Sequence, residues 1–359
     1  MAEDCLYLSI WTPASPADQL RAVMVLLTSG KEEGDLSGVE MAAMGDVVFV
    51  KVESRHGALG FLASDESLVT TNIGLLDQTL ALKWIQGNID LFGGDPARVT
   101  LLGSGSGGDV ASLHLLSASS CPLFNNMIIQ SGSPFTTTTT LQEATKRAGE
   151  LAELVGCGGF LADSLEMVDC LRQVDPQVLI NQEHSVSNYS LNMEPFPPIV
   201  DGQFLIEDPE VMMGHNVFKK CSVMIGTNSN EGLAEMFEYL PELSIQSNLF
   251  SLTSDQLDSA MARMFKTFSP ALLSLVKFQY GMFDGSEGNA TRVRRFFGLQ
   301  SALADKEVVC NVDKLAKTFA NDNNKVRTEK SLHSILMERY DRFTDTFLIR
   351  LVMIFSPRS

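Results

Sequence analysis

No stretch of about eighteen uncharged apolar residues runs through this 359-residue sequence, so a transmembrane helix is not expected. The segment from Phe347 to Phe355 is apolar but short, and Arg350 interrupts it. Basic charge is scarce: 27 Lys and Arg stand against 44 Asp and Glu, giving a net charge of -17. That balance argues against nucleic acid or an anionic membrane as partner and is compatible with a soluble secreted protein. It identifies no protein partner. The opening residues Met1-Ala2-Glu3-Asp4-Cys5 lack the basic and apolar regions of a signal peptide, so the chain taken literally would stay in the cytosol. His56, His184 and His215 have no metal-ligand spacing, the cysteines form no zinc pattern, and no cofactor is implied. Repeats of 20 to 50 residues are missing too. The one low-complexity run, Thr136 to Thr140, reads as an exposed loop.

What is present is a chain with 45% hydrophobic residues, enough to bury a large core as one big α/β domain or two smaller ones. Short valine-rich runs at Ala22 to Leu27 and Val47 to Val52 read as buried strands of a mainly parallel sheet. Val99 to Leu102, Met127 to Gln130 and Val223 to Gly226 add three more. Gly74 to Ile89 reads as a helix, with Leu75, Leu76, Leu80, Leu82, Ile85 and Ile89 at helical spacing and Trp84 on or near that face. Val110 to Leu116, Leu141 to Leu154 and Thr253 to Phe265 read as helices as well. Strands alternating with helices imply a doubly wound sheet.

Cys157 and Cys170 bracket a segment that reads as a disulfide loop worth about 3 kcal/mol, the alternative being two buried thiols. Asn188-Tyr189-Ser190 and Asn289-Ala290-Thr291 are glycosylation sequons. Both features hint at a secretory history.

The sharpest local signal lies at Phe92-Gly93-Gly94-Asp95-Pro96 and the run Val99 to Gly107, which has the layout of a nucleophile elbow. In G-x-S-x-G the central residue sits on a strained strand-to-helix turn between flanking glycines. Gly103 and Gly107 keep the flanks, but Gly105 stands at the centre and carries no oxygen.

With these residues, Glu3-Asp4-Cys5-Leu6-Tyr7-Leu8, Asn72-Ile73-Gly74-Leu75-Leu76-Asp77-Gln78, Gln130-Ser131-Gly132-Ser133 and Gly226-Thr227-Asn228-Ser229-Asn230-Glu231-Gly232 make the chain resemble the type B carboxylesterase and cholinesterase family. The resemblance runs in order from Glu3 to the neighbourhood of Asn324. It implies an α/β-hydrolase fold, with a mainly parallel central sheet and helices on both faces, truncated at both ends relative to the family. Residues 1–325 would form an incomplete cholinesterase-like domain and 326–359 a divergent tail. Active members use a serine nucleophile, a histidine base and an acidic residue that orients the histidine. By resemblance Gly105 replaces the serine and Glu231 matches the acid, while His333 lacks the context of the family histidine.

Where active members carry a His-Gly-Gly oxyanion run, this chain has Thr28-Ser29-Gly30-Lys31-Glu32-Glu33. Arg55 lies in a segment similar to the family's Asn-Tyr-Arg-x-Gly, which implies an ion pair, with Glu3 as partner. The family pattern also leaves Cys5 and Cys310 without their bridging cysteines. Some members of the family are not enzymes, and the chain resembles most the C-terminal domain of thyroglobulin, and next the neuroligins. The expectation is therefore a catalytically inactive domain, not an enzyme, acting through an unidentified protein partner or in secretory folding. A homodimer is possible in a full-length form, and secretion follows from the resemblance. One alternative keeps the chemistry by shifting the elbow one residue, which makes Ser106 the nucleophile of a weak carboxylesterase. Another makes the chain a binding module for a small hydrophobic ligand.

Overall fold

The computed structural model describes residues 4–14, 18–29, 37–64, 69–135, 137–158, 164–186, 195–233, 236, 240, 251–283, 288–321 and 349–354. Two compact units account for the chain: Met1–Ile225 with Leu315–Leu332 and Val352–Ser359, and Gly226–Lys314 with His333–Leu351.

The first unit is built on a sheet. Its strands are β1 (Leu8–Trp11), β2 (Arg21–Leu26), β3 (Val48–Val52), β4 (Gly94–Ser104), β5 (Asn126–Gln130) and β6 (Ser222–Asn228). They lie in the order β1-β3-β2-β4-β5-β6, with β7 (Ile349–Ile354) next to β6. β2 runs parallel to β3 and to β4, and β4 runs parallel to β5, whereas β1 pairs antiparallel with β3. Val23, Val25, Val48, Val50, Val99 and Leu101 are fully buried, as expected of strands covered on both faces.

β4 starts earlier than periodicity indicates. Arg21 pairs with Gly94 and Val23 with Val99, so Asp95–Arg98 bulges out of the ladder. Pro96 has no N–H to give the ladder. Asp95 closes the bulge by accepting hydrogen bonds from Ala97 N at 2.9 Å and Arg98 Nε at 2.8 Å.

The helices of this unit are α1 (Val39–Gly45), α2 (Gly57–Phe61), α3 (Ile73–Asn88), α4 (Ser106–Leu113), α5 (Leu141–Leu154), α6 (Ser164–Leu171), α7 (Pro176–Glu183) and α8 (Pro209–Gly214). α3 departs from the single apolar face expected of it. Leu75, Leu82 and Ile85 are buried, but Leu76, Leu80 and Trp84 are exposed. Their spacing of four residues makes a second apolar stripe. With Tyr7 and Leu8 at the start of β1 and with Phe92, Leu80 and Trp84 line an open groove of about 580 Å³.

α5 begins at Thr140, whose hydroxyl accepts a hydrogen bond from Glu143 N at 3.2 Å. Just beyond its end, a disulfide joins Cys157 to Cys170 on α6, with the Cα atoms 5.5 Å apart. The sequence reading of that pair as a bridge agrees with this. Cys5, Cys121, Cys221 and Cys310 are not in disulfides.

The second unit contains α9 (Ser254–Met264), α10 (Pro270–Gln279), α11 (Asn289–Ala304) and α12 (Cys310–Asn321), the last continuing into the first unit. A capping box at Thr253 and Gln256 starts α9. Leu257, Met261, Phe296, Leu299 and Leu303 form the centre of its own apolar core. No described helix is long and apolar enough to cross a membrane.

Candidate functional site

The corner between β4 and α4 has the geometry its glycines suggest. Gly105 adopts φ 51° and ψ -126°, a conformation that costs a side-chain-bearing residue strain. Its N–H donates to Gln130 O at 2.8 Å, and its carbonyl accepts from Asp109 N at 3.0 Å. A Cβ on Gly103 would stand 2.3 Å from Gly107 O, closer than any side chain can come. Glycine at 103 is thus a steric requirement, and glycine at 105 a conformational relief.

Beside this corner stands the hydroxyl of Ser106, the first residue of α4. Its Oγ shares a short hydrogen bond with Oγ of Ser29, just past the end of β2. Both serines line a cavity of about 20 Å³, together with His56, Asp109, Thr137 and Phe196. That volume holds about one water molecule. Asp109 is fixed by accepting a hydrogen bond from Ser133 N at 2.7 Å.

His56 stands at the N-cap of α2, yet its ring makes no capping bond. It is half-buried. Burial pushes its pKa down to about 4, overcoming the upward pull of Glu53 and Asp77. The imidazole is therefore neutral near pH 7 and able to accept a proton. Sequence reasoning considered this residue only as a metal ligand. The one local clue was a histidine between Arg55 and Gly57, because the 50 residues separating it from Ser106 leave no periodic trace.

Behind the corner lies His114, which is fully buried. Gln78 Nε2 donates to Ser54 Oγ at 3.2 Å and to Thr28 O at 3.3 Å, which turns its Oε1 toward His114. His114 Nε2 therefore donates to Gln78 Oε1, at 2.9 Å, while Nδ1 has no partner. The ring meets Phe204 edge-on, and burial pushes its pKa down to about 3. It is a packed residue.

Arg55 makes a two-pronged ion pair with Asp77, Nε to Oδ2 at 2.8 Å and Nη2 to Oδ1 at 2.7 Å. The expected partner Glu3 lies outside the described residues, as do Asn188, His333 and the run Gly30-Lys31-Glu32-Glu33. Glu231 belongs to the second unit, where its Oε1 accepts from Asn228 N at 2.7 Å. Asn289 is exposed at the start of α11. Among the described residues no group of His, Cys, Asp or Glu could hold a metal ion.

A mainly parallel sheet with a glycine-bounded strand-to-helix corner defines an α/β-hydrolase. The Carboxylesterase family profile matches residues 1–330, and the chain belongs to that family. It is 34% identical to an acetylcholinesterase of Danio rerio over 330 residues, covering 89% of this chain and 51% of that protein. The acetylcholinesterase of Electrophorus electricus is 35% identical, with the same 89% and 51% coverage. That of Bungarus fasciatus is 36% identical over 339 residues, covering 91% and 54%.

The chain thus spans about half the length of the curated relatives it matches. These relatives correct one expectation. Gly105, the altered oxyanion run and the missing family histidine led to a reading as a non-enzyme, but proteins 34–36% identical over most of the chain are named as enzymes. The reading placed the loss at Gly105 ahead of the alternative that shifts the elbow to Ser106.

Proposed function

We propose that this chain is a carboxylesterase-type domain that hydrolyses carboxylic esters, with Ser106 as the attacking residue. The observation that carries this reading is the Ser106–Ser29 hydroxyl pair at the elbow, in a cavity that also receives an imidazole. The serine that this reading needs sits one residue past the strained corner, on the first turn of α4. The Cys157–Cys170 bridge supports an oxidising, secretory setting. A fluorophosphonate probe tests the reading. Covalent labelling and ester turnover, both abolished in Ser106→Ala, are the expected result; labelling that survives the substitution removes Ser106 from the reaction.

A second reading, which leaves the chemistry in place, is favoured by the exposed apolar groove that Leu80, Trp84 and Phe92 line. In that reading the domain works through contacts with a protein partner, in a thyroglobulin-like or neuroligin-like manner, including self-association. Sedimentation of the purified chain at increasing concentration distinguishes it, a growing dimer fraction being the expected outcome.

A further inference from the structure

Ester hydrolysis by a serine needs a base within reach of its proton, either directly or through one water. In the first unit four histidines are described. His114 donates Nε2–H to Gln78 and is not among the residues that line the cavity. His184 and His215 are exposed and line no part of that cavity. His56 does line it, alongside Ser29 and Ser106, and its ring is not engaged in capping α2. The cavity of about 20 Å³ has room for one water, and Ser29, Ser106, Thr137 and His56 are among the residues that line it.

We propose that His56 is the base that serves Ser106, taking its proton through a single water held in the cavity both residues line. This rests on the reading of Ser106 as nucleophile. As Ser106 Oγ bonds to the ester carbonyl carbon, its proton passes to the water and a water proton passes to the imidazole. Collapse of the tetrahedral adduct breaks the carbon–alkoxide bond, and the leaving alcohol takes the proton back from the imidazolium. A second water then attacks the acyl-serine and gives its proton to His56. The proton returns to Ser106 Oγ as the carboxylic acid departs. The sum is ester plus water to acid plus alcohol, with no other reactant.

Several charges surround the ring. Glu53 and Arg55 flank it along the chain, Asp77 faces it from α3, and Asp109 shares the cavity from α4. On α7, Glu183 accepts from Ala58 N at 2.9 Å, and His184 follows it. Glu53 and Asp77 favour the protonated ring, but its burial outweighs them. A base of this kind is already free of its proton at neutral pH. Its rate should hold level down the acid range and fall only near pH 4, well below the midpoint of about 6.5 for an ordinary histidine.

The test measures the rate of fluorophosphonate labelling against pH in the intact chain, in His56→Gln and in Ser106→Ala. Labelling of the wild type with an acid limb near pH 4 is expected. His56→Gln should still label at Ser106, but about 100-fold more slowly and without that limb. Should His56→Gln not fold, His56→Ala assayed with and without added imidazole replaces it, recovery of the rate being the expected result. If Ser106→Ala labels like wild type, or wild type does not label, the Ser106 reading fails and this inference with it. If labelling depends on Ser106 while the His56 variants keep the wild-type rate and pH profile, His56 alone is ruled out.

Discussion

His114 and His56 are both imidazoles kept neutral by burial, and they differ in how their polar atoms are satisfied. His114 donates to a glutamine whose orientation is set by two further hydrogen bonds, and an aromatic edge packs on its ring. His56 has no capping bond and looks into a cavity among hydroxyls. A lowered pKa therefore does not by itself mark a working residue. The distinction lies in where the ring stands: His114 is packed in the interior with one nitrogen bonded to Gln78, whereas His56 lines a cavity.

The largest effect that sharpens this contrast is acid destabilisation through His114. Its folded-state pKa is about 3, below the ordinary value of about 6.5, so the unfolded chain binds the proton more readily between those limits. The associated stability is full above about pH 6.5 and is lost as pH falls toward 3, on the order of 5 kcal/mol in total. Urea denaturation at a series of pH values should show that slope, and His114→Gln should flatten most of it. His56→Gln should flatten it less, since the pKa of that residue is lowered less far, to about 4. Equal flattening by the two variants would erase the contrast.

Next in size is Gln78→Leu. It leaves the buried Nε2–H of His114 without an acceptor and removes the donors to Ser54 and Thr28, which should cost about 2 kcal/mol at neutral pH. A cost near zero by chemical denaturation would mean that the network behind the corner contributes no stability.

The smallest effect belongs to the corner. Gly105→Ser places a side chain at φ 51° and should lower stability by about 1 kcal/mol, measured in the same way. A stabilised variant would show that the corner carries no strain.

Much of the first unit was legible before any coordinates. Val23, Val25, Val48, Val50 and Val99 sit in continuous apolar runs, and such runs read directly as buried parallel strands. The elbow was legible because Gly103 packs against the backbone of Gly107 and Gly105 takes a positive φ, two demands that fall within a few residues of one turn. Less was legible where distant segments meet. Ser29, His56 and Ser106 reach one cavity from three separate elements, and no local pattern encodes that meeting. The bulge at Asp95–Arg98 was hidden because Pro96 and Arg98 read as a turn before the strand. α3 misled for a different reason. Leucines at helical spacing fit one face, and only the placement of the sheet decides which of them it covers.

The second apolar stripe of α3 also equips the molecule with an optical probe. The chain has two tryptophans. Trp11 lies against Phe49 in the sheet, whereas Trp84 is 40% exposed in the groove beside Phe92. Acrylamide should quench the Trp84 emission first, so the red edge of the fluorescence spectrum reports directly on whether the groove is covered.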